Sequence, residues 1–133
     1  MAKLPYRNLE AWQIAHALAM DVLDLAERPA LARRFYFRDQ LCSAAMSIPA
    51  NIAEGRGRSR PLDYASFVDR ARASLFELDT WLYTAARRGY CTEQEYETFA
   101  ATIERLSAML LGLIEYLRSL AGEKGPRAAK PEN

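Results

Sequence analysis

Ser47-Ile48-Pro49-Ala50-Asn51-Ile52-Ala53-Glu54-Gly55 departs from an ordinary amphipathic helix in three ways at once. Leu41, Ala44, Ala45, Ile48 and Ile52 recur at helical spacing, yet Pro49 falls among them. An interior proline lacks an N–H and crowds the carbonyl four residues back, here Ala45, at a cost of about 3 kcal/mol. Ile48, Ile52 and Gly55 keep one phase on both sides of Pro49, so the spacing predicts a helix that continues through a kink. Ser47 is placed to bond a carbonyl freed by that distortion. Asn51 follows Ala44 by seven and Ile48 by three, which turns it toward the bundle or its edge. A satisfied buried amide fixes register or oligomer state. Glu54 lies on the flank of the same face, in reach of an arginine or a backbone donor. The alternative makes Asn51 and Glu54 part of a ligand pocket.

Outward from this segment, Arg56-Gly57-Arg58-Ser59-Arg60-Pro61 puts three arginines within five residues. Guanidinium forks suit phosphate oxygens, which makes Arg56, Arg58 and Arg60 the local candidates for nucleic-acid contact. Arg33, Arg34 and Arg38 are the secondary set. A solvated loop, or one that pairs with the acids of a neighbouring subunit, is the alternative. Pro61 then opens a third helix with Ser59 or Arg60 at its cap. Its stripe is Tyr64, Phe67, Ala71, Leu75, Leu78, Leu82 and Ala85, and Gly89 ends it in the left-handed conformation. Phe76, Trp81 and Tyr83 fall off that stripe, and such a wide apolar face points to self-association. Thr92-Glu93-Gln94-Glu95 reads as a capping box for a fourth helix, which carries Tyr96, Phe99, Ile103, Leu106, Leu110, Leu113, Leu117 and Leu120 and closes near Gly122.

Upstream, Leu9, Trp12, Ala15, Ala19, Val22 and Ala26 give a first helix of about 20 residues, capped by Asn8 and stopped by Pro29. Residues 30–38, with the aromatic cluster Phe35-Tyr36-Phe37, read as a connection into the second helix. Four amphipathic helices on short connections predict an all-α protein, an up-down-up-down antiparallel four-helix bundle. The bundle is expected over residues 1–121, with a disordered tail at 122–133.

The formal net charge of +1 gives no global attraction to nucleic acid or membrane. Its distribution is uneven: residues 28–72 hold nine arginines against Asp39, Glu54, Asp63 and Asp69, whereas residues 91–121 hold two against five glutamates. The molecule is therefore polarised. Cys42 and Cys91 lie far apart with no metal-ligand spacing, and His16, the only histidine, has no evident catalytic partner. The lack of a long apolar run or of a signal-peptide core makes the cytoplasm the expected compartment.

The nine-residue segment and the arginines after it resemble the signature of the 23S rRNA intervening-sequence protein family. Leu9-Glu10-Ala11-Trp12-Gln13, Ser74-Leu75-Phe76-Glu77-Leu78-Asp79 and Gly89-Tyr90 extend the resemblance over about residues 6–120. The resemblance implies a homopentameric helical bundle related to the accessory variability protein of diversity-generating retroelements, which works with a reverse transcriptase and binds nucleic acid. Pro49, Asn51, Glu54, Gly55 and Glu77 are then expected to set packing or oligomer specificity.

Three functions compete. The first is a homo-oligomer that binds RNA or a nucleic-acid enzyme through its arginines. The second is a protein-interaction scaffold without nucleic-acid affinity. The third is an enzyme, which the sequence supports least: no phosphate-cradling loop, metal spacing or nucleophile–base pair is evident, although Glu54 and Glu77 could meet in the bundle. No cofactor is implied.

Overall fold

The computed structural model describes residues 4–122, all of whose regular elements are helical. A 3-10 turn at Pro5–Asn8 leads into α1 (Glu10–Ala26). The expected cap at Asn8 is corrected: Asn8 completes that turn, and Leu9 takes the cap position without a side-chain bond. Pro29 opens α2 (Pro29–Ala32), a single turn in which Leu31 is fully buried. Proline suits a first helical position because its missing N–H would have no partner there. The expected connection over residues 30–38 is thus partly helical, and α3 (Phe35–Arg56) begins three residues earlier than the apolar spacing suggests.

α3 runs unbroken through Pro49, which is buried. α4 (Pro61–Arg87) follows, with Arg60 at its cap. After it Gly89 adopts φ 77°, a left-handed turn that a Cβ would strain. α5 (Glu93–Leu120) starts at the complete capping box: Thr92 Oγ1 accepts from the Glu95 N–H at 3.0 Å, and the Thr92 N–H donates to Glu95 Oε1 at 2.9 Å. The tail beyond Gly122 lies outside the described residues.

One core joins the four long helices. Leu18 and Val22 of α1, Leu41, Ile48 and Ile52 of α3, Leu75, Leu78 and Leu82 of α4, and Leu106 and Leu110 of α5 are buried in it. Burying side chains of this size contributes about 1.5–3 kcal/mol each. In α5 the stripe is rotated slightly from the one expected: Ile114 is buried, Leu113 is half-buried and Leu120 is exposed.

α3 and α4 approach most closely. Phe37 meets Trp81 and Ser47 meets Ser74, while Gly55 faces Tyr64 and Phe67. Numbers rise along one helix as they fall along the other, so this pair is antiparallel. A Cβ on Gly55 would stand 2.8 Å from Phe67 Cβ and 3.2 Å from the Tyr64 carbonyl oxygen. Only glycine lets the two backbones come this near. α4 and α5 are joined by Tyr96, whose hydroxyl donates to Asp79 Oδ1 at 2.8 Å, and by Arg72, whose Nε donates to the Ser107 carbonyl at 3.4 Å.

Candidate nucleic-acid interface

The six arginines singled out in the sequence do not form one cluster. Arg56 is the last residue of α3, and Arg60 caps α4 in extended conformation; between them the Gly57 N–H reaches the Ala53 carbonyl at 3.3 Å. That bond, with the Arg58 N–H to the Gly55 carbonyl at 2.9 Å, holds the loop tight while its side chains stay exposed. Arg58 folds back, 3.6 Å from Glu54 and 4.6 Å from the Phe67 ring centroid, and Arg70 lies over the same ring at 4.8 Å. Arg56 and Arg60 take part in no salt bridge among the described residues.

Arg33, Arg34 and Arg38 sit at the opposite end of α3. Twenty-two residues at 1.5 Å per residue put the two groups about 30 Å apart. Arg34 occupies the cap position of α3, donates from Nε to the Ala30 carbonyl at 2.9 Å, and places its guanidinium 4.6 Å from the Tyr90 ring centroid. Arg38 donates to the Ala32 carbonyl at 3.1 Å, faces the Phe35 ring at 5.4 Å and lies 3.8 Å from Asp39. Arg88 joins this pole: its hydrogen bond to Tyr90, reinforced by the charge of Arg34, lowers the pKa of the phenol. Sequence reading passed over Arg88, although Arg87-Arg88 directly before a helix-ending glycine is a visible signal.

The residues expected to set specificity lie between these poles or beside one. Asn51 Nδ2 donates to the Ser47 carbonyl at 2.8 Å and to Ser47 Oγ at 3.0 Å, and the Ser47 and Ser74 hydroxyls share a 2.8 Å bond across the α3–α4 seam. Ser47 thus bonds a facing hydroxyl instead of the carbonyl left free by Pro49. Glu77 is exposed and accepts from Trp81 Nε1 at 3.3 Å. Glu54 and Glu77 do not meet, because the register sets Glu54 level with Phe67, about 15 Å along α4 from Glu77. Among the described residues no group of three side chains could hold a metal ion. His16 stacks on Trp12 with centroids 4.8 Å apart, and burial pushes both the Cys42 and Cys91 thiols up, away from the reactive thiolate form.

A groove of about 570 Å³ separates α1 from α5. Its floor is apolar, with Ile14, Leu18, Leu25 and Phe99, and Asp21 and Asp24 line it too. Two ion pairs cross it: Arg28, just past the end of α1, with Glu95, and Arg105 Nη2 with Glu10 Oε1 at 3.0 Å. The bond from Arg28, helped by the Thr92 N–H, holds the Glu95 pKa at about 2. No sequence pattern announced this groove, because its walls lie some eighty residues apart.

Fold and site together define a helical-bundle protein with an arginine pole at each end of α3, the second of its four long helices. Residues 7–112 match the family described as 23S rRNA-intervening sequence protein, and the chain belongs to that family. A solved structure described as a protein of unknown function from the S23 ribosomal protein family of Bacteroides thetaiotaomicron is similar in fold, with a TM-score of 0.72 and 20% identity over 79% of this chain and 98% of that one. None of the curated proteins compared matches this chain. Among the described residues no helix is long and apolar enough to cross a membrane.

Proposed function

We propose that this is a non-enzymatic, cytoplasmic, homo-oligomeric protein, a pentamer by family resemblance, that associates with rRNA or another nucleic acid through its arginine poles. In this reading residues 1–121 form one up-down-up-down antiparallel four-helix bundle. One observation carries the nucleic-acid reading: a chain with a net charge of only +1 exposes Arg56 and Arg60 at one end of α3, and Arg33 and Arg34 at the other. None of these four forms a salt bridge among the described residues. Ring symmetry would repeat each pole in every subunit and raise the local charge without raising the charge per chain.

Fluorescence anisotropy with a structured rRNA fragment, at low and at physiological salt, tests the reading. Affinity is expected to fall steeply with salt, and the slope to shrink by about 2 when Arg56 and Arg60 are both changed to alanine. An unchanged slope removes the loop from the interface. A second reading, a protein-interaction scaffold, draws on Phe76 and Tyr83, which α4 leaves 48% and 52% exposed beside α5. It predicts an assembly that survives high salt and has no RNA affinity even at low salt.

A further inference from the structure

We propose that the pole at the start of α3 is a stacking site for unpaired bases, so that the nucleic acid this protein prefers is single-stranded. The inference rests on the nucleic-acid reading above and assigns its two ends different tasks.

Phe35 and Tyr36 are 63% and 73% exposed, more than any other large apolar side chain of the described residues. Three consecutive aromatics step about 100° apiece around a helix, so they cannot all face one core. Phe37 takes the inward place, edge-on to Trp81 at 5.0 Å and to Tyr90 at 5.4 Å. That packing fixes the first turn of α3 and presents the other two rings from a rigid base. Tyr36 keeps only an edge contact with Trp81, with centroids 6.2 Å apart, and Arg38 lies against Phe35. Folding gains little from rings left in water.

The surroundings select an anionic, planar ligand. Arg33, Arg34, Arg38 and Arg88 gather here, and Asp39 is the acid paired with one of them. The first turn of α3 has neither an acidic residue nor a side-chain cap, so its free N–H groups add to the positive potential. Exposed aromatic rings among arginines are how proteins hold single strands: the rings stack on bases and the guanidinium groups take the phosphates. In a duplex the base faces are already stacked on each other and cannot reach such rings.

The other pole lacks this feature. Phe67 is half-buried beneath two arginines, Arg58 and Arg70, whereas one arginine meets the exposed Phe35; Tyr64 is half-buried too, with its pKa raised by burial. Arg56 and Arg60 can grip phosphates there, on single or double strands alike.

The test compares one labelled RNA oligonucleotide, alone and annealed to its complement, against the wild-type oligomer and two double variants, F35A/Y36A and R56A/R60A. Melting curves and oligomer mass are recorded for each protein. The wild type is expected to bind the single strand more tightly. F35A/Y36A is expected to melt like the wild type and to lose about tenfold or more on the single strand, with the duplex affected far less. R56A/R60A is expected to weaken both RNAs by similar factors. Unchanged single-strand affinity in F35A/Y36A overturns the inference and leaves the broader RNA reading standing. A fall in oligomer mass in that variant also overturns it, since the rings would then be subunit contacts. If the wild type binds neither RNA at low salt, the proposed function fails and this inference with it.

Discussion

The seam between α3 and α4 and the seam between α1 and α5 are built on opposite principles. The first is closed by a missing side chain: Gly55 lets two backbones meet, and Ser47 and Ser74 bond across a narrow gap. The second stays open around its groove and is spanned by long, partly exposed side chains in two Arg–Glu pairs. Dense apolar contact stabilises strongly, whereas ion pairs in water contribute between nothing and about 1 kcal/mol. Enlarged side chains are therefore expected to be resisted at the α3–α4 seam and accommodated at the open groove between α1 and α5.

The largest effect is expected from Ile48→Ala, which empties a fully buried site beside Pro49. It should cost about 2–5 kcal/mol in urea denaturation. Next come two enlargements that ought to differ sharply. Gly55→Ala forces α3 from α4 and is expected to cost about 1–3 kcal/mol. Ala17→Leu, facing the open groove, should stay within about 0.5 kcal/mol of wild type. Equal losses in the two variants would abolish the contrast between the seams.

The smallest effect concerns the bridge itself. Arg28→Ala is expected to cost less than about 1 kcal/mol at pH 7, because the pair is only partly shielded from water. Its pH signature is more telling. The Glu95 pKa of about 2 lies below the unfolded value of about 4.3. The extra stability is thus full above about pH 5 and drains away as the pH falls toward 2. Unfolding measured at pH 7 and pH 3 should show a larger acid loss in wild type than in Arg28→Ala. The reverse would mean that the pair does not form in solution.

How much of this was legible in the sequence depends on the range of the interaction responsible. Thr92 and Glu95, Pro61 and Gly89 act within a few residues, and the element ends they mark are found where the sequence puts them. The unbroken helix across Pro49 was legible for the same reason, since Ile48 and Ile52 hold their phase. α2 was not, because one turn has no period and Leu31 is buried only through tertiary packing. The outward turn of Phe35 and Tyr36 depends on where Trp81 of α4 and Tyr90 of the turn after it arrive, which no local pattern encodes. The six arginines were recognisable as a type. Their division into two ends follows from the length of α3, whereas Arg88 joins one end only through its tertiary bond to Tyr90.

That continuity makes α3 a molecular ruler. A proline that broke the helix would have let Arg34 and Arg56 drift together; a helix that carries its proline holds them at a fixed reach of about 30 Å. If the poles bind nucleic acid as proposed, a ligand shorter than this reach would touch only one end of a given subunit. A longer one would engage both, so affinity is expected to rise in a step, not gradually, as the ligand grows past that span.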